Sequence, residues 1–214
     1  MELSHAEKEK QVFQFFNDVI IREINVVHLR DPKGNDAIPL RVQTVLTFSL
    51  LDILASYWFE FQDLQDTPKN RFQRWYDVFC KTDNNEEYKR GSDWKNVSSA
   101  RLYNLRSSLV HFFGLSQESE GTYFSLVSNE LPEKDRKELS KLTNKHGKKT
   151  VVFRPRDFHK LISSGGVLML ESWQSMIQEA NRGDEEKKKN YIDGINRIWS
   201  KIQLEGAVMV YKEK

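Results

Sequence analysis

Cysteine is almost missing from this chain. A single residue, Cys80, stands among 214, which excludes an intramolecular disulfide framework and a thiolate zinc site alike. Beside the aromatic residues Phe79 and Trp75, it reads as a small buried hydrophobe. An excess of charge of one sign is also missing. The 33 Lys and Arg nearly balance 31 Asp and Glu, for a net charge of +2. That removes a strongly basic footprint from the whole chain while leaving room for a local basic site. Long hydrophobic runs are absent too. The longest, around residues 45–59, is broken by Thr47, Ser49, Asp52 and Ser56, so no bilayer-spanning helix is expected. The first ten residues, Met-Glu-Leu-Ser-His-Ala-Glu-Lys-Glu-Lys, carry no secretory apolar region. The expectation is a soluble protein of a reducing compartment, cytoplasmic and without membrane contact. Repeats and low-complexity tracts are not visible.

What is present is enough for a core. Apolar residues make up 38% and aromatic residues 12%, which excludes global disorder. At roughly 150 residues per domain the length corresponds to about 1.4 domains, one with elaborations or two small ones. From Ser4 to Leu29, Val12, Phe13, Phe16, Val19, Ile20, Ile24 and Val27 recur at steps of three and four, predicting an amphipathic helix. Ser4 and Glu7 fit a capping box at its start. After the turn at residues 31–35 a second helix is expected from Leu40 to Asp63. It is apolar on nearly every face, so other helices should surround it. Pro68 opens a third helix carrying Phe72, Trp75, Tyr76 and Phe79, and Thr82 to Ser92 reads as a charged loop. A fourth helix, from Trp94 to Phe113, buries Val97, Leu102, Leu105, Leu109 and Phe112 and stops at Gly114.

The texture then changes. Residues 122–128 and 150–154 read as short strands around a charged excursion, Glu133 to Lys149, and residues 207–211 as a third. Helices are expected over 157–180 and 184–204. The fold class is therefore mainly α: a helical bundle over residues 1–115, and a C-terminal elaboration over 116–214 packed on it.

The familiar catalytic signatures are missing. No phosphate loop, dinucleotide fingerprint, nucleophile elbow or H-E-x-x-H pair occurs, so no cofactor and no metal are expected. Four of the five histidines have plain explanations: His5 in a tail, His28 at a helix end, His146 before a glycine, and His159 at a helix start among charges. His111 has different company. Arg106-Ser107-Ser108-Leu109-Val110-His111 places an Arg and a His five apart, late in the fourth helix of a plausible bundle.

Here the chain resembles the HEPN superfamily, helical bundles marked by an Arg and a His with four to six residues between them; Arg106 and His111 fit the shortest spacing. The resemblance covers roughly residues 5–115. It implies a metal-independent endoribonuclease, possible in a defence or toxin–antitoxin setting, with Arg106 and His111 as catalytic residues. The alternative it implies is a non-catalytic module that dimerises and binds RNA, a nucleotide or a protein. The implied partners are RNA, a second copy of the chain through the fourth helix, and an antitoxin or other protein. Ser107 stands where an Asn, Asp or His is more usual after the Arg; it can still donate and accept a hydrogen bond.

The chemistry is consistent with those residue types. RNA supplies its own nucleophile, the 2′-hydroxyl, so a proton acceptor, a proton donor and a cation suffice. His titrates near neutral pH, and the planar fork of Arg suits a phosphate. At about 100° per residue, positions 106 and 111 lie about 140° apart around a straight helix. They converge only if the helix unwinds toward Gly114 or if two copies meet across a two-fold axis.

Asp52 is the expected support. A carboxylate inside an apolar helix is costly unless paired, and an Asp52–Arg106 pair would either orient the Arg or satisfy two buried charges. Tyr103 and Ser56–Tyr57 could line the same cleft. Two basic sets, Arg71, Arg74, Lys89, Arg90 and Lys95, and Lys145, Lys148, Lys149, Arg154 and Arg156, could hold an RNA backbone or be surface charge balanced by nearby acids.

Overall fold

A computed structural model of the chain describes residues 3–22, 29–90, 97–112, 122–132, 134–135, 137–138, 149–180 and 182–204. The protein is mainly helical. Helix α1, His5–Gln14, starts at the expected capping box: Ser4 Oγ accepts from Glu7 N at 3.4 Å, and the Glu7 carboxylate accepts from Ser4 N at 2.8 Å. It continues as a wider, π-type helix over Phe15–Arg22. Residues 23–28, including His28, and the end of the helix expected there lie outside the described residues.

Helix α2, Leu40–Phe61, runs through the middle of the bundle. Phe48, Leu50, Leu51, Leu54, Ala55, Phe59 and Phe61 are all buried, as an all-round apolar helix requires. By length and composition α2 could cross a membrane, despite the polar breaks in its run. Here its apolar faces are taken up by the helices over Pro68–Trp75 and Ser99–Phe112 and by the two long C-terminal helices.

Helix α3, Pro68–Trp75, has Pro at its first turn and Thr67 as its N-cap, and continues as a π-type turn over Tyr76–Cys80. The segment expected to be loop after it contains a short helix, α4, Glu86–Arg90. Its cap explains it: Asn85 Oδ1 accepts from Glu87 N and Tyr88 N, while its amide donates to the carbonyls of Phe79 and Leu161. Helix α5, Ser99–Phe112, starts five residues later than expected. Ser98 Oγ accepts from Arg101 N, and Asp77 at the end of α3 accepts from the Ser99 hydroxyl at 2.8 Å. Gly114 lies outside the described residues.

Strands β1, Thr122–Leu126, and β2, Lys149–Phe153, pair in parallel with Thr122 opposite Lys149 and Leu126 opposite Phe153. In the excursion between them, residues 134, 135, 137 and 138 are helical. Helices α6, Pro155–Ala180, and α7, Glu185–Leu204, follow. The third strand expected at residues 207–211 lies outside the described residues.

Both C-terminal helices pack on α2, and their side chains join one continuous core with those of α1, α2, α3 and α5. Trp173 of α6 stacks on Phe61 with ring centroids 4.4 Å apart, and Phe158 meets Phe48 at 4.9 Å. On α7, the guanidinium of Arg197 donates to the carbonyls of Glu60 and Phe61, satisfying the C-terminus of α2.

Candidate functional site

Three helices position the residues singled out by sequence. Phe48 of α2, Phe72 of α3 and Tyr103 of α5 form a continuous aromatic floor: Phe48 and Phe72 stack at 6.1 Å, and Phe72 meets the Tyr103 ring edge-on at 5.3 Å. One helical turn after Phe48 comes Asp52, and three residues after Tyr103 comes Arg106. The floor therefore fixes the helices that bring Asp52 and Arg106 together across the α2–α5 contact.

They meet as a charged pair. Arg106 Nε donates to Asp52 Oδ2 at 2.9 Å, and Arg106 Nη2 lies 2.8 Å from the same oxygen. The guanidinium also sits over the Tyr103 ring, 5.8 Å from its centroid, near the outer limit for a cation–π contact. Both charged side chains are only partly open, Arg106 at 22% and Asp52 at 27% exposure. Burial raises the Asp52 carboxyl above its ordinary value, against the opposing pull of Arg106 and, more weakly, of Arg71. Desolvation wins there, so the pair is held by geometry rather than by a large net electrostatic gain.

The Asp52–Arg106 contact occupies one edge of the guanidinium. Among the described residues, no hydrogen bond reaches Nη1, and no second bond reaches Asp52 Oδ1. Ser107 is half-buried beside them. Ser56, a turn beyond Asp52, serves something else: its hydroxyl accepts from Lys201 of α7 at 2.7 Å, and Lys201 also lies over the Tyr57 ring.

His111 lies within α5, whose helical backbone runs unbroken through Phe112. Positions 106 and 111 therefore keep their separation of about 140° around the axis, and unwinding before Phe112 does not relieve it. The side chain of His111 lies outside what the structure describes.

The other histidines partly depart from expectation. His5 is not in a tail but opens α1, 3.9 Å from Glu9. His159 is 1% exposed, because the first turn of α6 dips into the core beside Phe158 rather than facing solvent. His146 is outside the described residues. Among the described residues no three His, Cys, Asp or Glu side chains converge as metal ligands would. Cys80 is fully buried, and burial pushes its thiol well up, toward the neutral form.

The basic sets divide clearly. In the first, Arg74 pairs with Asp66 at 3.8 Å, Lys89 with Glu86 at 2.7 Å and Arg90 with Glu87 at 3.4 Å; Lys95 lies outside the described residues. In the second, Arg154 pairs with Asp157, and Arg156 bridges Asp36 and Glu130. Lys145, Lys148 and the Lys149 side chain are likewise outside. Arg71 alone of the described members in these sets forms no ion pair or hydrogen bond through its side chain. Comparison of the chain with known protein families, curated proteins and solved structures finds no match.

Proposed function

We propose that this chain is a metal-independent endoribonuclease built on a HEPN-like four-helix bundle, with Arg106 and His111 as its reacting groups. The observation that carries this reading is the state of Arg106. Asp52 and Tyr103 hold its guanidinium in one orientation while leaving the Nη1 side unspent. A preoriented, partly desolvated cation with free donors is what a developing phosphorane charge needs.

In the step, the imidazole of His111 takes the proton of the 2′-hydroxyl, and O2′ attacks phosphorus. The P–O5′ bond breaks, and the 5′-oxygen takes a proton from the imidazolium of His111, which returns to its neutral form. The products are a 2′,3′-cyclic phosphate and a 5′-hydroxyl, with no oxidant, reductant or cofactor consumed. Because the two positions are about 140° apart on a continuous helix, His111 of one copy works with Arg106 of the other in a homodimer that joins the two α5 helices. Asp52 is a positioning residue.

The second reading is a non-catalytic interaction module that binds RNA, a nucleotide or a protein such as an antitoxin. It is favoured by the low exposure of Arg106 and by the carboxylate already satisfying one edge of it.

RNA cleavage and thermal melts measured together on His111→Ala separate the two. The nuclease reading expects cleavage to fall roughly 10²- to 10⁴-fold, the range of a lost acid–base group, with an unchanged melt. Wild-type protein that binds RNA and leaves it intact supports the module instead.

A further inference from the structure

Two arginines act on the charge of Asp52, and it pairs with one. Arg106 reaches it from α5, while Arg71 of α3 lies close enough for its charge to pull the Asp52 carboxyl down. Arg71 acts on Asp66 in the same way, but the contact with Asp66 belongs to Arg74. Arg71 is thus half-buried within electrostatic reach of two carboxylates, each paired with another arginine, with no ion pair or hydrogen bond of its own side chain among the described residues.

Its place is fixed by the same aromatic floor. The next residue, Phe72, is fully buried and contacts both Phe48 and Tyr103. A flexible surface cation would be free to seek either acid; this one is anchored at its base and left with five donors unspent. With Arg74 and Asp66 included, three guanidiniums stand against two carboxylates, a net of one positive charge.

The geometry points to Arg71 and Arg106 as a two-arginine clamp for the phosphodiester of a single-stranded RNA, with Arg71 a binding residue and not a catalytic one. The clamp rests on the assignment of Arg106 to phosphate and adds a second contact from a different helix. An incoming phosphate oxygen finds the Nη1 side of Arg106 and the whole fork of Arg71, a bidentate recognition that Lys would not reproduce.

The test uses the full chain and two probes of one sequence: a short fluorescent 2′-O-methyl oligonucleotide, which cannot be cleaved, and the matching RNA. Binding of the first is followed by fluorescence anisotropy across a salt series, and cleavage of the second by product formation. Arg71→Ala is expected to weaken binding about 5- to 10-fold and to flatten the salt slope by nearly one unit. Its cleavage defect should lie in KM, with kcat kept at saturation. Arg71→Lys should recover only part of the affinity, and Arg74→Ala, whose partner is Asp66, should bind as wild type.

Binding by Arg71→Ala equal to wild type overturns the clamp, and so does a failure of the wild type to bind the oligonucleotide at low salt. A loss of affinity that comes with a lowered melt in both Arg71 variants overturns it too, assigning the residue to the fold. Arg71-dependent binding without cleavage of the RNA leaves the clamp standing and overturns the nuclease reading alone.

Discussion

Asp52 shows how much one residue can carry. Its carboxylate is shielded from water, and Arg106 offsets that cost without cancelling it, so its folded-state proton affinity exceeds the ordinary value. A raised carboxyl pKa means that the folded chain binds protons more tightly than the unfolded one. This contribution to stability therefore grows as pH falls through the raised pKa and is lost as pH rises. Arg106→Ala removes the larger lowering influence and strands the charge. At neutral pH that should cost about 1–3 kcal/mol, the penalty of leaving one partly buried partner unpaired. The gap to wild type should then close as the solution is acidified and Asp52 takes a proton. Urea melts of both proteins at several pH values test this; a gap that stays constant or widens toward acid would show that Asp52 is not the source of the cost. Asp52→Asn, which keeps the shape and removes the charge, should lose the pH dependence that Asp52 brings.

Elements in this fold are joined where a side chain is missing as much as where one is present. Gly194 of α7 lies against the Phe61 ring, and a Cβ at that position would sit 2.6 Å from Cε2 and 2.7 Å from Cδ2. Phe61 has little freedom to retreat, because it is stacked on Trp173. Gly194→Ala should therefore destabilise the protein by about 1–3 kcal/mol, the usual range for overpacking, although alanine is the better helix former. A thermal melt equal to or higher than wild type would contradict this. Gly165 plays a similar part in α6, where a Cβ would meet Cys80 Sγ at 2.8 Å and the Trp75 ring at 3.0 Å. Both glycines lie in regular helix, so close approach and not backbone freedom explains them.

On the scale of the molecule, residues 1–115 do not close a core by themselves. Phe158, Leu161, Ile162, Met169, Leu170 and Trp173 of α6, with Tyr191, Ile195, Ile198 and Ile202 of α7, belong to the same buried cluster as α2. A fragment ending at residue 115 should lack a cooperative melt, and the full chain should unfold in one transition; two separated transitions in calorimetry would argue for independent halves. Assembly gives a second expectation. The proposed composite site needs a two-fold dimer through α5, so light scattering at tens of micromolar should return twice the chain mass, and a monomer that cleaves RNA would exclude a shared site. Cleavage should also survive chelation, since the proposed step uses only protein groups; activity abolished by EDTA and restored by magnesium would overturn the mechanism.

The sequence alone determined the helical class and most helix positions, because apolar spacing reports burial directly: α2 needed neighbours on every side and has them. It also marked Asp52 and Arg106 as partners, since a carboxylate in an apolar helix must find a cation. The short α4 was legible in Asn85-Glu86-Glu87, a cap followed by acids, but its charge made it look like loop. Tertiary structure decided the rest. Nothing local shows that the first turn of α6 turns inward and buries His159, that β1 and β2 run parallel, or that α6 and α7 belong to the bundle's own core. Arg71 is the clearest case: in sequence it is one of several cations beside aromatic residues. Lys89 and Arg90 find acids three residues back on α4, and Arg74 finds Asp66 eight residues back; only the fold brings Arg71 within electrostatic reach of an Asp52 whose partner, Arg106, comes from another helix. Burial and spacing are local properties of a chain, whereas the partner a charge finds depends on which distant segment the packing brings near.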